Sequence, residues 1–200
     1  MIDRLFEPWR TAFREIIREP SVASPLKDAS LAGDLTAWTT SLTAAVVAAC
    51  QKCDWQATAK KHSSRVLPQS GQEFLGIDVM AFPSRQAIEA TQQSWPLPLA
   101  AFELENVPKQ ERIEYSLWKV LCLRTRLRVV FAYRSDWEQA NQLVHAMGDT
   151  VIGRMTIEER EAIHGETAVI IGGRNEGETF PHGFFKYWLL NTNSGQFEKV

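Results

Sequence analysis

Acidic side chains set inside apolar, strand-forming runs constrain this chain more than anything else in it. In Ala100-Ala101-Phe102-Glu103-Leu104-Glu105-Asn106, two carboxylates stand two residues apart. Strand alternation puts Ala101, Glu103 and Glu105 on one face and Phe102 and Leu104 on the other. About 25 positions earlier, Phe74-Leu75-Gly76-Ile77-Asp78-Val79 carries a third acid in a similar setting. A carboxylate is costly to bury unless it is paired, protonated or bound to a cation. Folding these runs into neighbouring strands therefore calls for a cation, and the three acids together point to a site for one.

The rest of the composition is that of an ordinary globular domain: 200 residues, 44% hydrophobic, 23% charged, net charge −2. That length favours a single domain over 1–200 with a sizeable core. No charged n-region with an apolar h-region is visible, and the most apolar run, Leu42 to Cys50, is too short to span a bilayer. A cytoplasmic protein without membrane association is expected. Three cysteines, Cys50, Cys53 and Cys122, argue against a disulfide framework. Cys50-Gln51-Lys52-Cys53 has no second pair to complete a four-ligand zinc site, so core packing is its expected role. The near-balanced charge excludes a strongly basic nucleic-acid-binding domain, though basic residues can still gather on one face.

Along the chain, apolar spacing predicts a helix over 8–18, ended by Pro20, with 19–30 as a Pro- and Ser-rich connection. A long Ala-rich helix is predicted over 31–62, capped by Asp34, its end at Lys60-Lys61-His62 read as solvated cations. A short strand at 64–68, a turn at 69–71, a strand over 73–82 and a short helix at 84–94 follow. Next come a strand at 99–106, an amphipathic helix at 109–124 and a buried β-rich strand at 126–134. Capping-box patterns at Ser135-Asp136-Trp137-Glu138 and Thr156-Ile157-Glu158-Glu159 start two further helices. Strands are predicted at 167–171 and 184–190, with a last short strand after the turn at 193–195. The order is that of a mixed α/β fold with a right-handed crossover between the strands near 99–106 and 127–133.

Oxygen ligands in this pattern suit magnesium, which keeps several waters and needs only one to three carboxylates. Asp78 and Glu103 are the expected ligands, with the Leu104 carbonyl as a third oxygen. Glu105 lies one pleat further on, about 6.6–6.8 Å along the strand, where it could position or deprotonate a water. Such a site activates water and stabilises charge in phosphodiester hydrolysis. The four histidines, His62, His145, His164 and His182, have no ligand spacing. No G-x-S-x-G elbow is present, and Gly172-Gly173-Arg174 lacks the G-K-[ST] of a phosphate loop, reading instead as a strand exit whose Arg174, with Lys186, is a weaker candidate for a phosphate contact.

The pattern resembles the PD-(D/E)xK nuclease superfamily, the restriction-endonuclease-like fold. Gly76-Ile77-Asp78-Val79 corresponds to the first acid, Glu103-Leu104-Glu105 to the (D/E)-x-K element in an E-x-E form, and the helix at 109–124 to the one that follows. The resemblance implies an αβββαβ core over about 31–134, in a mixed central sheet flanked by helices. An extra N-terminal helix and a C-terminal extension of helices and strands over about 135–200 complete the chain. It implies a Mg2+-dependent nuclease, Mn2+ being an alternative, acting on DNA, with a homodimer where both strands are cut. The family's lysine is replaced by Glu105, and Lys119 on the next helix is a migrated candidate for its role. A glutamate that some members carry on the first core helix is absent; Glu15 and Glu73 are the substitutes to consider, Glu73 having the opposite strand parity to Asp78. Two other functions stay open: a nuclease fold that binds without cutting, and an unrelated α/β subunit of a larger assembly. Trp95, beside Pro96 in a connection, is the expected exposed stacking or dimer contact.

Overall fold

A computed structural model describes residues 4–69 and 71–200. Ser70 in the expected turn, and residues 2 and 3 before the first helix, lie outside the described residues. Among the described residues, seven strands lie side by side in chain order in one mixed sheet. Strands β1 (Gln56–Ala59), β2 (Val79–Phe82) and β3 (Ala100–Leu104) form an antiparallel meander. Strands β3, β4 (Leu127–Arg134) and β5 (Glu166–Gly173) are parallel, and β6 (Phe185–Asn191) and β7 (Gln196–Lys199) return antiparallel. Three helices, α1 (Phe6–Ile16), α2 (Pro20–Ala32) and α3 (Leu35–Lys52), precede the sheet, and α4 (Arg85–Thr91) joins β2 to β3. Helix α5 (Gln110–Leu121) makes the β3–β4 crossover, and α6 (Trp137–Met147) and α7 (Ile157–Glu161) lie between β4 and β5.

Each face of the sheet carries its own apolar layer, as strand alternation requires when both faces are covered. On one face α1 and α3 pack Trp9, Phe13, Trp38 and Leu42 onto Phe102, Val129, Phe131 and Ile170. Trp9 stacks on Phe13 with ring centroids 5.2 Å apart and meets Phe102 at 4.9 Å. On the other face α5 and α6 pack Ile113, Leu117, Val120 and Leu143 onto Ala101, Val130, Val169 and Ile171. Glu103 and Arg128 share the parity of this second face and are 4% exposed each. No helix among the described residues is long and apolar enough to cross a membrane.

Four stretches depart from the expectations. Residues 19–30, expected as a connection, belong to α2: Pro20 starts the helix, where its missing N–H costs nothing, and Gly33 closes it at φ 66°. The long helix stops at Lys52 and its remainder contains β1, because Asp54 turns the chain at φ 60°. Aspartate tolerates that left-handed conformation better than most residues. The strand expected at 64–68 is reduced to an isolated bridge between Ser64 and Gly71. The strand expected over 73–82 begins only at Val79, since Leu75 and Gly76 take φ of 55° and 66°. The expected box at Thr156 and Glu159 forms, whereas at the other helix start the cap shifts by one residue, Asp136 in place of Ser135 accepting from the Gln139 amide.

Arg128 shows how the crossover helix is tied to the sheet. Its guanidinium donates to the carbonyls of Val120 (3.1 Å), Leu123 (2.9 Å) and His164 (2.8 Å). Two of these carbonyls lie at the end of α5, where a cation meets the negative helix pole, and each also accepts a backbone N–H. Burial pulls the Arg128 pKa below its ordinary value. Replacing Arg128 with Met should remove three charge-assisted hydrogen bonds to backbone carbonyls, costing about 3 kcal/mol and lowering Tm by roughly 6–12 °C. A Tm loss under about 2 °C in a calorimetric scan would show that water replaces the guanidinium at little cost.

Candidate functional site

The site is built where β2 begins and β3 ends. Val79 pairs with Phe102 and Met80 with Ala101. Asp78 precedes β2 by one residue, next to Glu103 in the last part of β3, and its side chain borders α3. Asp78 Oδ2 accepts the Leu104 backbone N–H at 2.7 Å. Lys119, projecting from α5, reaches Glu103 Oε2 at 2.7 Å and also donates to the Gly76 carbonyl at 2.9 Å. The crossover helix thus brings its lysine to Glu103.

Glu105 is not brought to this pair. Its Oε1 accepts the Val107 amide at 2.8 Å, and its Oε2 lies 3.7 Å from Arg112 Nε. Glu105 is one residue beyond β3, where the chain turns, and its carboxylate caps that turn. The Leu104 group seen in the site is its N–H, bonded to Asp78. Of the two substitute glutamates, Glu15 is paired with Lys52 at 2.8 Å, away from the acids. Glu73 lines the same cavity as Asp78. The parity objection to Glu73 falls away because residues 73–78 are not strand. Among the described residues, no three His, Cys, Asp or Glu side chains come together in a way that could hold a metal ion.

Burial pushes the Glu103 carboxyl up to about 7, the charge of Asp78 adds to the rise, and the Lys119 bond opposes it. Glu103 Oε1 is buried without a hydrogen-bond partner. An orphaned carboxylate oxygen on a group that also feels the Asp78 charge fits a small oxygen-seeking cation that brings its own waters.

Asp78 opens on a cavity of about 400 Å³ between α3 and the start of β2. Thr36, Thr39 and Thr43 form one wall, and Lys60, Lys61 and His62 another. Sequence reading put these three cations at a helix end; in the fold they follow β1, because α3 has already stopped. Asn106 closes the cavity on the β3 side, its side-chain amide donating to Thr39 Oγ1. Trp95 is 63% exposed and Cys50 is fully buried, as expected of each. No family model, curated protein or solved structure matches this chain.

Proposed function

We propose that this protein is a divalent-metal-dependent nuclease that hydrolyses phosphodiester bonds of DNA. One observation carries the proposal: Asp78, just ahead of β2, holds the Leu104 N–H beside Glu103 of β3, and Lys119 of the crossover helix is bonded to Glu103. Three antiparallel strands, a helical crossover and a parallel fourth strand also follow the order of a restriction-endonuclease-like core. Asp78 and Glu103 would hold Mg2+ or Mn2+, with the Leu104 carbonyl or water completing the shell. The ion would polarise the phosphate and lower the pKa of a bound water.

Lys119 limits the repulsion between the two acids and places a cation beside the pair. Asp78, opening on the cavity, meets the substrate side. Lys60, Lys61 and His62 give that cavity a wall to receive phosphate charge. Glu105 remains the candidate for positioning the attacking water, on condition that its carboxylate releases the Val107 amide. That engagement of Glu105 favours a second reading, in which the fold binds nucleic acid or protein and no longer cuts.

The test is incubation with supercoiled plasmid and with single- and double-stranded oligonucleotides in Mg2+, Mn2+ or EDTA. Metal-dependent nicking or cleavage is expected; metal binding with no cleavage on any substrate would favour the second reading. A pH series adds a second check. Metal needs Glu103 deprotonated, and its pKa lies at about 7. Mn2+ affinity by calorimetry should therefore rise about tenfold per unit as pH climbs toward 7 and level off above it. An affinity flat from pH 5.5 to 8.5 would place the ion elsewhere.

A further inference from the structure

Arg174 and Arg134 stand at the carboxyl ends of β5 and β4, next to the cavity that holds Asp78. Arg174 lies 4.1 Å from the Tyr133 ring centroid and 5.5 Å from that of Trp38. The Trp38 indole N–H donates to the Tyr133 hydroxyl at 2.7 Å, so the surface under the guanidinium is itself fixed. One N–H of Arg174 donates to Asn106 Oδ1 at 3.2 Å. Arg134 donates to the Tyr133 carbonyl at 2.8 Å. Among the described residues, neither arginine has a carboxylate partner within ion-pair distance. Burial pulls the pKa of both below the ordinary value, the sign of cations held partly out of water without full compensation.

Both guanidinium groups line a cavity of about 550 Å³ whose other polar walls are Asn106, Gln110, Ser135 and Gln139. No acid lines it. Of the acids adjoining its walls in sequence, Asp136 is used on the Gln139 amide and side chain and Glu105 on the Val107 amide. A half-buried arginine stacked on aromatic rings, with N–H groups to spare and a neutral donor rim, is arranged to receive an oxyanion in bidentate fashion. The carboxyl ends of parallel strands are also where ligands enter open α/β sheets. This cavity and the Asp78 cavity share Leu35 and Asn106 as walls. Asn106 holds one amide end toward Thr39 and the other toward Arg174, so it links them physically.

We propose that the Arg134–Arg174 cavity binds a phosphate of the nucleic-acid strand whose neighbouring phosphate lies at Asp78. The proposal rests on the nuclease reading and deepens it by assigning the path of the strand, from the acid pair across Asn106 to the two arginines. A chain polyanion fits both cavities at once, whereas a lone anion would fill only the second.

The test is fluorescence anisotropy with a labelled oligonucleotide in EDTA, where nothing is cut, over a range of salt. Arg174→Gln and Arg134→Gln are each expected to weaken binding about 10-fold and to reduce the salt slope by about one. Arg85→Gln, an exposed residue paired with Glu89, controls for general charge loss and should change neither. Arg174→Lys keeps the charge and loses the fork, and should recover only part of the affinity. Should Arg174→Gln unfold, Arg134→Gln, which carries no aromatic stack, decides alone. Unchanged affinity and slope in the folded variants would overturn the proposal while leaving metal-dependent cleavage, and with it the nuclease reading, untouched. Loss of thermal stabilisation by inorganic phosphate with oligonucleotide binding unchanged would likewise overturn it, since the anion would then come from a small molecule. Absence of both cleavage and oligonucleotide binding in the wild type would remove the nuclease reading itself.

Discussion

Asp78→Asn is expected to abolish Mg2+- or Mn2+-dependent cleavage, with a loss of about 10²–10⁴-fold, the rate equivalent of several kcal/mol of metal-assisted stabilisation. The substitution is chosen because it separates charge from structure. An asparagine oxygen can still accept the Leu104 N–H that Asp78 Oδ2 holds at 2.7 Å, so the join between β2 and β3 survives. What disappears is one of two neighbouring negative charges. The Asp78 charge also raises the Glu103 pKa. Removing it should lower that pKa, and the pH at which residual Mn2+ binding levels off should fall with it. Glu105→Gln provides the contrast, because its carboxylate serves the Val107 amide and Arg112. A smaller loss is expected there, mainly through the turn after β3. Equal cleavage by wild type and Asp78→Asn would remove Asp78 from the chemistry.

Much of the scaffold of this site was legible before folding. The β-branched run Val129-Val130-Phe131 and the apolar run after Thr167 are buried strands, and the parity that puts Glu103 with Ala101 holds in β3. The spacing of Ile113, Leu117 and Val120 set the core face of α5 and left Lys119 free to turn to the acids. What could not be read has identifiable physical causes. Strand β1 is Gln-Ala-Thr-Ala, with no apolar β-branched residue, and it continues an Ala-rich helical pattern without a glycine or proline between them. Its burial comes from α3 and β2, not from its own propensity. Helix α2 carries two prolines, which local rules assign to a connection, yet Leu26 and Ala29 bury against α3 and the helix forms. Glu105 keeps the face expected of it but meets a free turn amide, a competition that spacing does not reveal. In sequence Arg174 is no more than a weak phosphate-contact candidate at a strand exit, because its surroundings are assembled from Trp38, Asn106 and Tyr133, distant in sequence.

Lys119→Met is expected to destabilise the fold by an amount that grows with pH, and the reason lies in Glu103. Burial already holds its folded pKa at about 7, above the ordinary value of 4.5. An acid whose pKa is raised on folding binds its proton more tightly in the native state. Native stability therefore falls as pH rises through the window from 4.5 to about 7, then stays level. Lys119 sets the upper edge of that window, since its ammonium, 2.7 Å from Oε2, opposes the rise. Without it, burial and the Asp78 charge act unopposed, and Glu103 holds its proton to higher pH. At pH 5 to 6 Glu103 is protonated in both proteins, and the variant should lose only the Gly76 hydrogen bond, about 1 kcal/mol. Above pH 7 the wild type has passed its window while the variant is still in it, so the gap widens by about 1.4 kcal/mol per pH unit. By pH 9 it should reach about 3–4 kcal/mol, in the range found for breaking a buried ion pair, and lower Tm by roughly 6–16 °C. The double variant Lys119→Met with Glu103→Gln has no charge to bury and should show a small gap independent of pH. Thermal melts from pH 5 to 9 distinguish the alternatives. A gap of the same size at both ends would mean that Lys119 acts through packing and the Gly76 carbonyl, and that Glu103 is not the charge it compensates.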